Sequence, residues 1–371
     1  MGSVPPAVAQ AAAVLTLAAL LGAPSGAAGQ EIPDSAIVTV IAQGLQTVWA
    51  LAEAPDGRLF VTEHGGLVRT IVEGELAHEP WPELAVHEVL RDEAGLMGVA
   101  IDPDFASNGF VYLCYSMETA PRTVVNRVVR MRDSSGVGVE ETVLLDSVLG
   151  GSYHDGYALA FGPDGLVYVS TGDAYDRSTP QDLSSAGGKI LRIDRDGMSP
   201  SDNPFPDSPV PALGLRNPQG FGWDPESGLM FATDHGTNGI NEVNVITRGG
   251  KYGWPVVSTE HQVPEYRSTL LVHDVLPAGL TFVVGDRYPE LSGNLIFAGL
   301  GEGSLTRVVL TEGSDPRVLR IQPLLGSEFG RIRTVTQGAD GYLYFGTSNR
   351  DGRGDPGPAN DRVFRVSSFV Y

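Results

Sequence analysis

The sequence predicts an all-β chain folded as a six-bladed β-propeller, and three observations carry that prediction. A Pro-Asp-Gly-like turn followed by a short run rich in Val, Phe, Tyr and Leu occurs six times, beginning at residues 55, 103, 163, 225, 289 and 339. Successive copies lie 48 to 64 residues apart, the spacing of propeller blades. The 47 Gly and 26 Pro supply the turns that many short strands need, and no long stretch repeats its apolar residues with helical period.

The copies run in order along the chain. Pro55-Asp56-Gly57 precedes Arg58-Leu59-Phe60-Val61, Pro103-Asp104 precedes Gly109-Phe110-Val111-Tyr112, and Pro163-Asp164-Gly165 precedes Leu166-Val167-Tyr168-Val169. Pro225-Glu226, Pro289-Glu290 and Ala339-Asp340-Gly341 introduce the last three runs. Pro presets φ at the second position of a turn and Gly accepts positive φ, so each copy reads as a hairpin between two blade strands. A sandwich or solenoid built from ordinary hairpins is the competing reading, which six spaced copies make the weaker one. A length of 371 residues could hold two average domains, but the repeat argues for one domain over residues 30–371.

Residues 1–29 read as a signal peptide: the apolar core at 11–23 is too short to span a bilayer comfortably, and small residues follow it through Gly29. Cleavage is expected after Ala27 or Gly29. The chain is then exported to the periplasm or secreted, without stable membrane insertion. The segment before the core carries no Lys or Arg, which leaves an uncleaved anchor open. With 25 basic against 45 acidic residues and a formal charge of -20, nucleic acid is excluded as a partner. An anionic ligand would need a local cluster of cations. The lone cysteine, Cys114, lies in the run Phe110–Tyr115 and reads as a packed small hydrophobe.

In a propeller the strands form the scaffold and the loops at one end of the channel converge, so chemistry belongs in the irregular segments. His154, in Gly150-Gly151-Ser152-Tyr153-His154-Asp155-Gly156, lies on a loop leading into a strand and can face the channel, as a base or as a hydrogen-bonded structural residue. Arg331 and Arg333 share one side of an extended segment, as a paired anion grip or an ordinary solvated face. The loop from Asp234 to Asn244 is rich in oxygen donors, His235 within it reads as packing or hydrogen bonding, and no zinc set is present.

The segment His154-Asp155-Gly156 with Leu159-Ala160-Phe161-Gly162-Pro163-Asp164-Gly165 resembles the histidine motif of the soluble pyrroloquinoline quinone (PQQ) glucose, sorbosone and aldose sugar dehydrogenases. The likeness extends through Trp49-Ala50-Leu51, Gly95-Leu96-Met97-Gly98, Gly188-Lys189-Ile190-Leu191-Arg192 and, most specifically, Leu215-Arg216-Asn217-Pro218-Gln219. It implies a propeller that oxidises an aldose sugar at its anomeric carbon to a lactone and passes electrons to an external acceptor. His154 is then the catalytic base, Arg216 polarises the quinone, and Arg216, Asn217 and Gln219 contact PQQ. Arg331 and Arg333 would grip its carboxylates. By the same likeness the carbonyls of Gly236 and Thr237 hold a calcium ion that also binds PQQ, and Glu242 with the Tyr252 carbonyl serves a second calcium. A non-catalytic propeller that binds a carbohydrate, a metal or a protein partner is the alternative.

The chain departs from the family pattern at four places. Gly156-Tyr157-Ala158 replaces the usual Gly-Gly-Arg, removing a cation and leaving Tyr157 to narrow the pocket. Glu93 stands where several members place a Gln that contacts the cofactor, and an ionised Glu there repels an anion unless it is paired. Gly301 follows Leu300 where a Lys or Arg is usual, and Thr237 replaces a proline, which a carbonyl ligand tolerates.

Overall fold

A computed structural model describes residues 35–257, 263–301, 303–357 and 361–370. The expected leader and its cleavage point lie outside the described residues.

The strands form six antiparallel-built sheets whose innermost strands are Val48–Glu53, Leu96–Ile101, Gly156–Phe161, Pro218–Trp223, Pro277–Phe282 and Ile332–Gln337. Each inner strand packs on the next, and the last packs on the first, so the ring closes. The propeller expectation is met with six blades. All six predicted turns fall between the first and second strands of a blade, and the second and fifth also carry a single helical turn, Phe105–Asn108 and Pro289–Leu291.

Closure is made by hydrogen bonds between the ends of the described chain. Ser35–Leu45 forms the outer strand of the sixth blade and pairs antiparallel with Asp361–Val370, with Ser35 opposite Val370. Joining first and last segments in one sheet covers edges that would otherwise be open to another chain.

Six apolar clusters fill the spaces between neighbouring blades among the described residues. Middle strands such as Leu59–Glu63, Val167–Thr171 and Leu295–Gly299 are buried at every position because each blade is covered on both faces. This is why they read as apolar runs and not as alternating patterns. Between the fifth and sixth blades Phe345 stacks on Phe364 at 4.9 Å, and truncating such a buried ring costs about 3–5 kcal/mol. Cys114 is buried and unpaired; burial pushes its thiol up to about 12, as expected of a packed hydrophobe.

The third blade has an addition. After the third strand of the fourth blade, the chain returns and lays Gly250–Lys251 parallel to Ala212–Leu213 on the edge of the third blade. That crossover carries Tyr252 and Trp254 to the channel mouth.

Candidate active site

His154 lies two residues before the inner strand of the third blade. Its backbone is left-handed, φ 61°, as are Gly156 and Tyr157. A non-glycine residue held this way stores strain that its surroundings must offset. Here the backbone N–H of His154 donates to Glu93 Oε2 at 3.0 Å, and its carbonyl accepts from Ala174 N at 3.0 Å. The neighbouring strand approaches so closely that a Cβ at Gly172 would sit 1.8 Å from the His154 oxygen, so only glycine fits.

The register of the hairpin then creates a pair. Gly156 faces Thr171, so residues just before the one and just after the other converge, and His154 Nδ1 meets Asp173 Oδ1 at 2.6 Å. Asp173 also accepts from Trp254 Nε1 at 2.8 Å and from Tyr175 N at 2.9 Å. Burial pushes the Asp173 carboxyl up, but its bonds to His154, Trp254 and Tyr175 outweigh burial and hold it below the ordinary carboxylate value. An ionised Asp173 accepts a hydrogen bond from Nδ1–H and leaves Nε2 with the free lone pair, which has no partner among the described residues. Tyr175, 62% exposed, stacks on the imidazole at 4.0 Å.

The segment Arg216–Gln219 enters the fourth blade beside this pair. Arg216 N and Asn217 N donate to the two oxygens of Asp234 at 2.9 and 2.6 Å. The Arg216 guanidinium donates to the carbonyls of His235 and Gly236, lies over Trp254, and keeps a buried Nε with no partner. The amides of Asn217 and Gln219 both donate to Glu93 Oε2 at 3.1 Å. Gln219 in turn accepts from Arg333 at 3.4 Å, and Arg333 and Arg331 meet at Asp351, at 3.3 and 2.8 Å. The expected cofactor contacts therefore belong to one hydrogen-bonded network that begins at the His154 amide. Its positive charge is shared with two internal carboxylates, Glu93 and Asp351. Burial pushes Arg333 down to about 10.

His154, Arg216, Asn217, Glu93, Tyr153, Tyr175 and Arg353 line one cavity of about 300 Å³. Gln219 and Arg333 line the deeper channel between the inner strands, and Arg331 lies to its side. Gly236, Thr237, Glu242 and Tyr252 line an adjoining cavity of about 130 Å³ with Asp234, and Arg216 and Gly236 line both. Burial and the Glu242 charge push Asp234 up to about 8, and burial also raises Glu242. Two buried carboxylates that resist ionisation, next to a partnerless Asn244 Oδ1, suit a hard cation, whose charge would relieve them. The Gly236 carbonyl, however, already accepts from Arg216. A partnerless buried Arg216 Nε beside further arginines suits a polyanionic quinone.

Tyr157 differs from expectation. It packs between the second and third blades, 1% exposed, so it borders the channel with Gln219 and Arg333 and is not part of the His154 cavity. The family cation is absent at Gly301 without crowding as a cause, since a Cβ there would meet nothing closer than 3.6 Å. Asp173 and Tyr175 went unread in the sequence, and Trp254 reads there only as part of a calcium-region likeness, not as a partner of Asp173. The first was reachable from hairpin register, whereas Trp254 arrives only by the crossover.

The dyad and its cavity can move a proton from a bound hydroxyl, and comparison with known proteins narrows the chemistry. The family model for glucose / sorbosone dehydrogenase matches residues 45–354. A Thermus thermophilus protein assigned as a glucose dehydrogenase superposes with a TM-score of 0.82 at 40% identity, covering 90% of this chain and 100% of that one. The PQQ-bound aldose sugar dehydrogenase of Streptomyces coelicolor superposes at 0.79 with 32% identity, covering 91% and 99%. The aldose sugar dehydrogenase of Escherichia coli K12 is 28% identical over 348 residues, 86% of this chain and 92% of that protein. With the match spanning every inner strand from Val48 to Gln337, the chain belongs to the glucose/sorbosone dehydrogenase family.

Proposed function

We propose that this chain is a PQQ- and calcium-dependent dehydrogenase that oxidises an aldose at its anomeric carbon to a lactone. One observation carries the reading: His154 is paired with a buried carboxylate at 2.6 Å, with Nε2 open toward a cavity shared with Arg216 and Asn217. Family membership and the PQQ-bound relative support the cofactor.

Asp173 holds the imidazole in the tautomer whose Nε2 lone pair faces outward. Nε2 takes the proton of the anomeric hydroxyl while the hydrogen on that carbon departs with its electron pair, leaving a double bond between that carbon and the former hydroxyl oxygen, with the ring oxygen retained: the lactone. PQQ, when bound, supplies the hydride acceptor and passes the electrons to an external acceptor. The imidazolium formed is balanced by Asp173. Arg216 offers donors to negative charge that grows on a quinone oxygen, an interaction stronger in the transition state than before it. Asn217, Gln219, Arg331 and Arg333 would bind and orient the cofactor. Gly236 and Thr237 would hold the calcium beside it, and Glu242 with Tyr252 the second ion. Export through a leader at residues 1–29 belongs to the same reading.

The direct test is His154→Gln, reconstituted with PQQ and calcium and supplied with glucose and a redox dye. Turnover is expected to fall about 10²- to 10⁴-fold while PQQ affinity stays near that of the parent. Equal turnover would remove His154 as the base.

A further inference from the structure

Glu93 performs no step of the chemistry above, yet its carboxylate joins three blades. It precedes the inner strand of the second blade, and its Oε2 accepts from His154 N at 3.0 Å and Asp155 N at 3.3 Å on the third. The same oxygen accepts from Asn217 Nδ2 and Gln219 Nε2, both at 3.1 Å, on the fourth. The side chain is 6% exposed. Burial opposes its charge, but His235, His154, Arg333 and Arg353 around it hold its pKa below the ordinary carboxylate value. Burial drives His235 down to about 4, so it carries no charge near neutral pH, whereas Arg333 and Arg353 remain cations beside the carboxylate.

Several N–H donors converging on one point form an anion receptor. In this chain the receptor is filled from within. Two of its donors belong to the strained turn at His154, and the other two are amides that the family likeness assigns to the cofactor. The Glu93 carboxylate thereby does two things that pull against each other.

We propose that Glu93 is a positioning residue with opposed effects: it locks the left-handed turn that presents His154, and by engaging the amides of Asn217 and Gln219 with its own negative charge it weakens the binding of an anionic quinone. The second effect rests on the function proposed above; the first does not. A neutral side chain of the same size releases the cofactor donors from a charge but holds the turn less firmly.

Two variants separate the effects. Glu93→Gln keeps the size and removes the charge. Titrated with PQQ in calcium buffer and read by quinone absorbance, it is expected to bind about tenfold tighter than the parent, the effect of one charge acting across the site at intermediate dielectric. Its turnover at saturating PQQ is expected to fall roughly threefold or more as the turn loosens. Glu93→Ala leaves the His154 and Asp155 amides with no acceptor, and in the protein without PQQ their hydrogen exchange should quicken at least about tenfold while amides of the Leu343–Thr347 strand keep their protection. Weaker PQQ binding by Glu93→Gln, or unchanged exchange at both amides in a folded Glu93→Ala protein, overturns the proposal. A parent that binds no PQQ sinks the dehydrogenase reading and with it the second effect, while the exchange rates still decide the first.

Discussion

The third and fourth blades reach the channel mouth with the same local architecture and use it differently. In each, an aspartate at the end of the second strand faces the loop that leads into the first: Asp173 beside Gly150–Asp155, Asp234 beside Arg216–Asn217. Asp173 bonds a side chain, the His154 imidazole, and is held ionised by its donors. Asp234 bonds backbone amides, stands opposite Glu242 on the neighbouring strand, and is pushed up to about 8. The histidines follow suit. His154 has a carboxylate behind it and a free nitrogen ahead, whereas His235 Nε2 donates to the Pro277 carbonyl at 2.8 Å and the ring is driven to about 4. His154 precedes the first strand of its blade and His235 follows the second strand of its own, and their partner atoms, not the residue type, set the two apart.

The sharpest way to break this contrast is Asp173→Asn. The amide cannot hold the required tautomer or balance an imidazolium, so turnover on sugar with PQQ and calcium is expected to drop about 10²- to 10⁴-fold. A drop under tenfold would put Asp173 on the same footing as Asp234. A smaller effect is expected from Trp254→Phe, which removes one of the three donors to Asp173 and leaves the ring in place. Losing one such bond predicts a turnover roughly two- to tenfold lower, with the melting temperature nearly unchanged. A collapse in stability instead would mark Trp254 as a brace of the crossover.

The smallest effect belongs to Asp234→Asn and is read in stability. An unfolded aspartate loses its proton near pH 4, whereas Asp234 keeps its own to about pH 8. The folded chain therefore binds the extra proton between these values, and the parent loses stability as pH rises through that window. The Asn variant lacks this loss. In calcium-free buffer its melting temperature relative to the parent is expected to climb from about pH 5 to about pH 8, by several degrees at most. A difference that stays flat with pH would show that Asp234 is ionised throughout.

Much of the fold was legible because its signals are local. Each turn such as Pro163-Asp164-Gly165 carries its own backbone preference, and its place between the first two strands of a blade needs no knowledge of the other five. His154 and Arg216 were also found locally, each on the loop before an inner strand. The site was harder where contacts are long-range. Glu93 is 61 residues from the His154 amide that it binds and 126 from Gln219. Its charge was legible, but the four donors that hold it lie on two other blades. Tyr157 was misplaced for a related reason: its left-handed backbone turns the ring into the space between blades, which residue type alone does not reveal.

From the linear order of residues came the number of blades, the all-β architecture, the loops that bear the chemistry and the family they resemble, because turn preference and apolar runs act over a few neighbouring residues. Only the packed blades decided that Trp254 crosses back to join Asp173, and that Glu93 reaches the His154 amide and the Gln219 side chain. These depend on distances between groups far apart in the chain. Electrostatics in a buried site is set by those distances and by the exclusion of water, neither of which exists until the blades have packed.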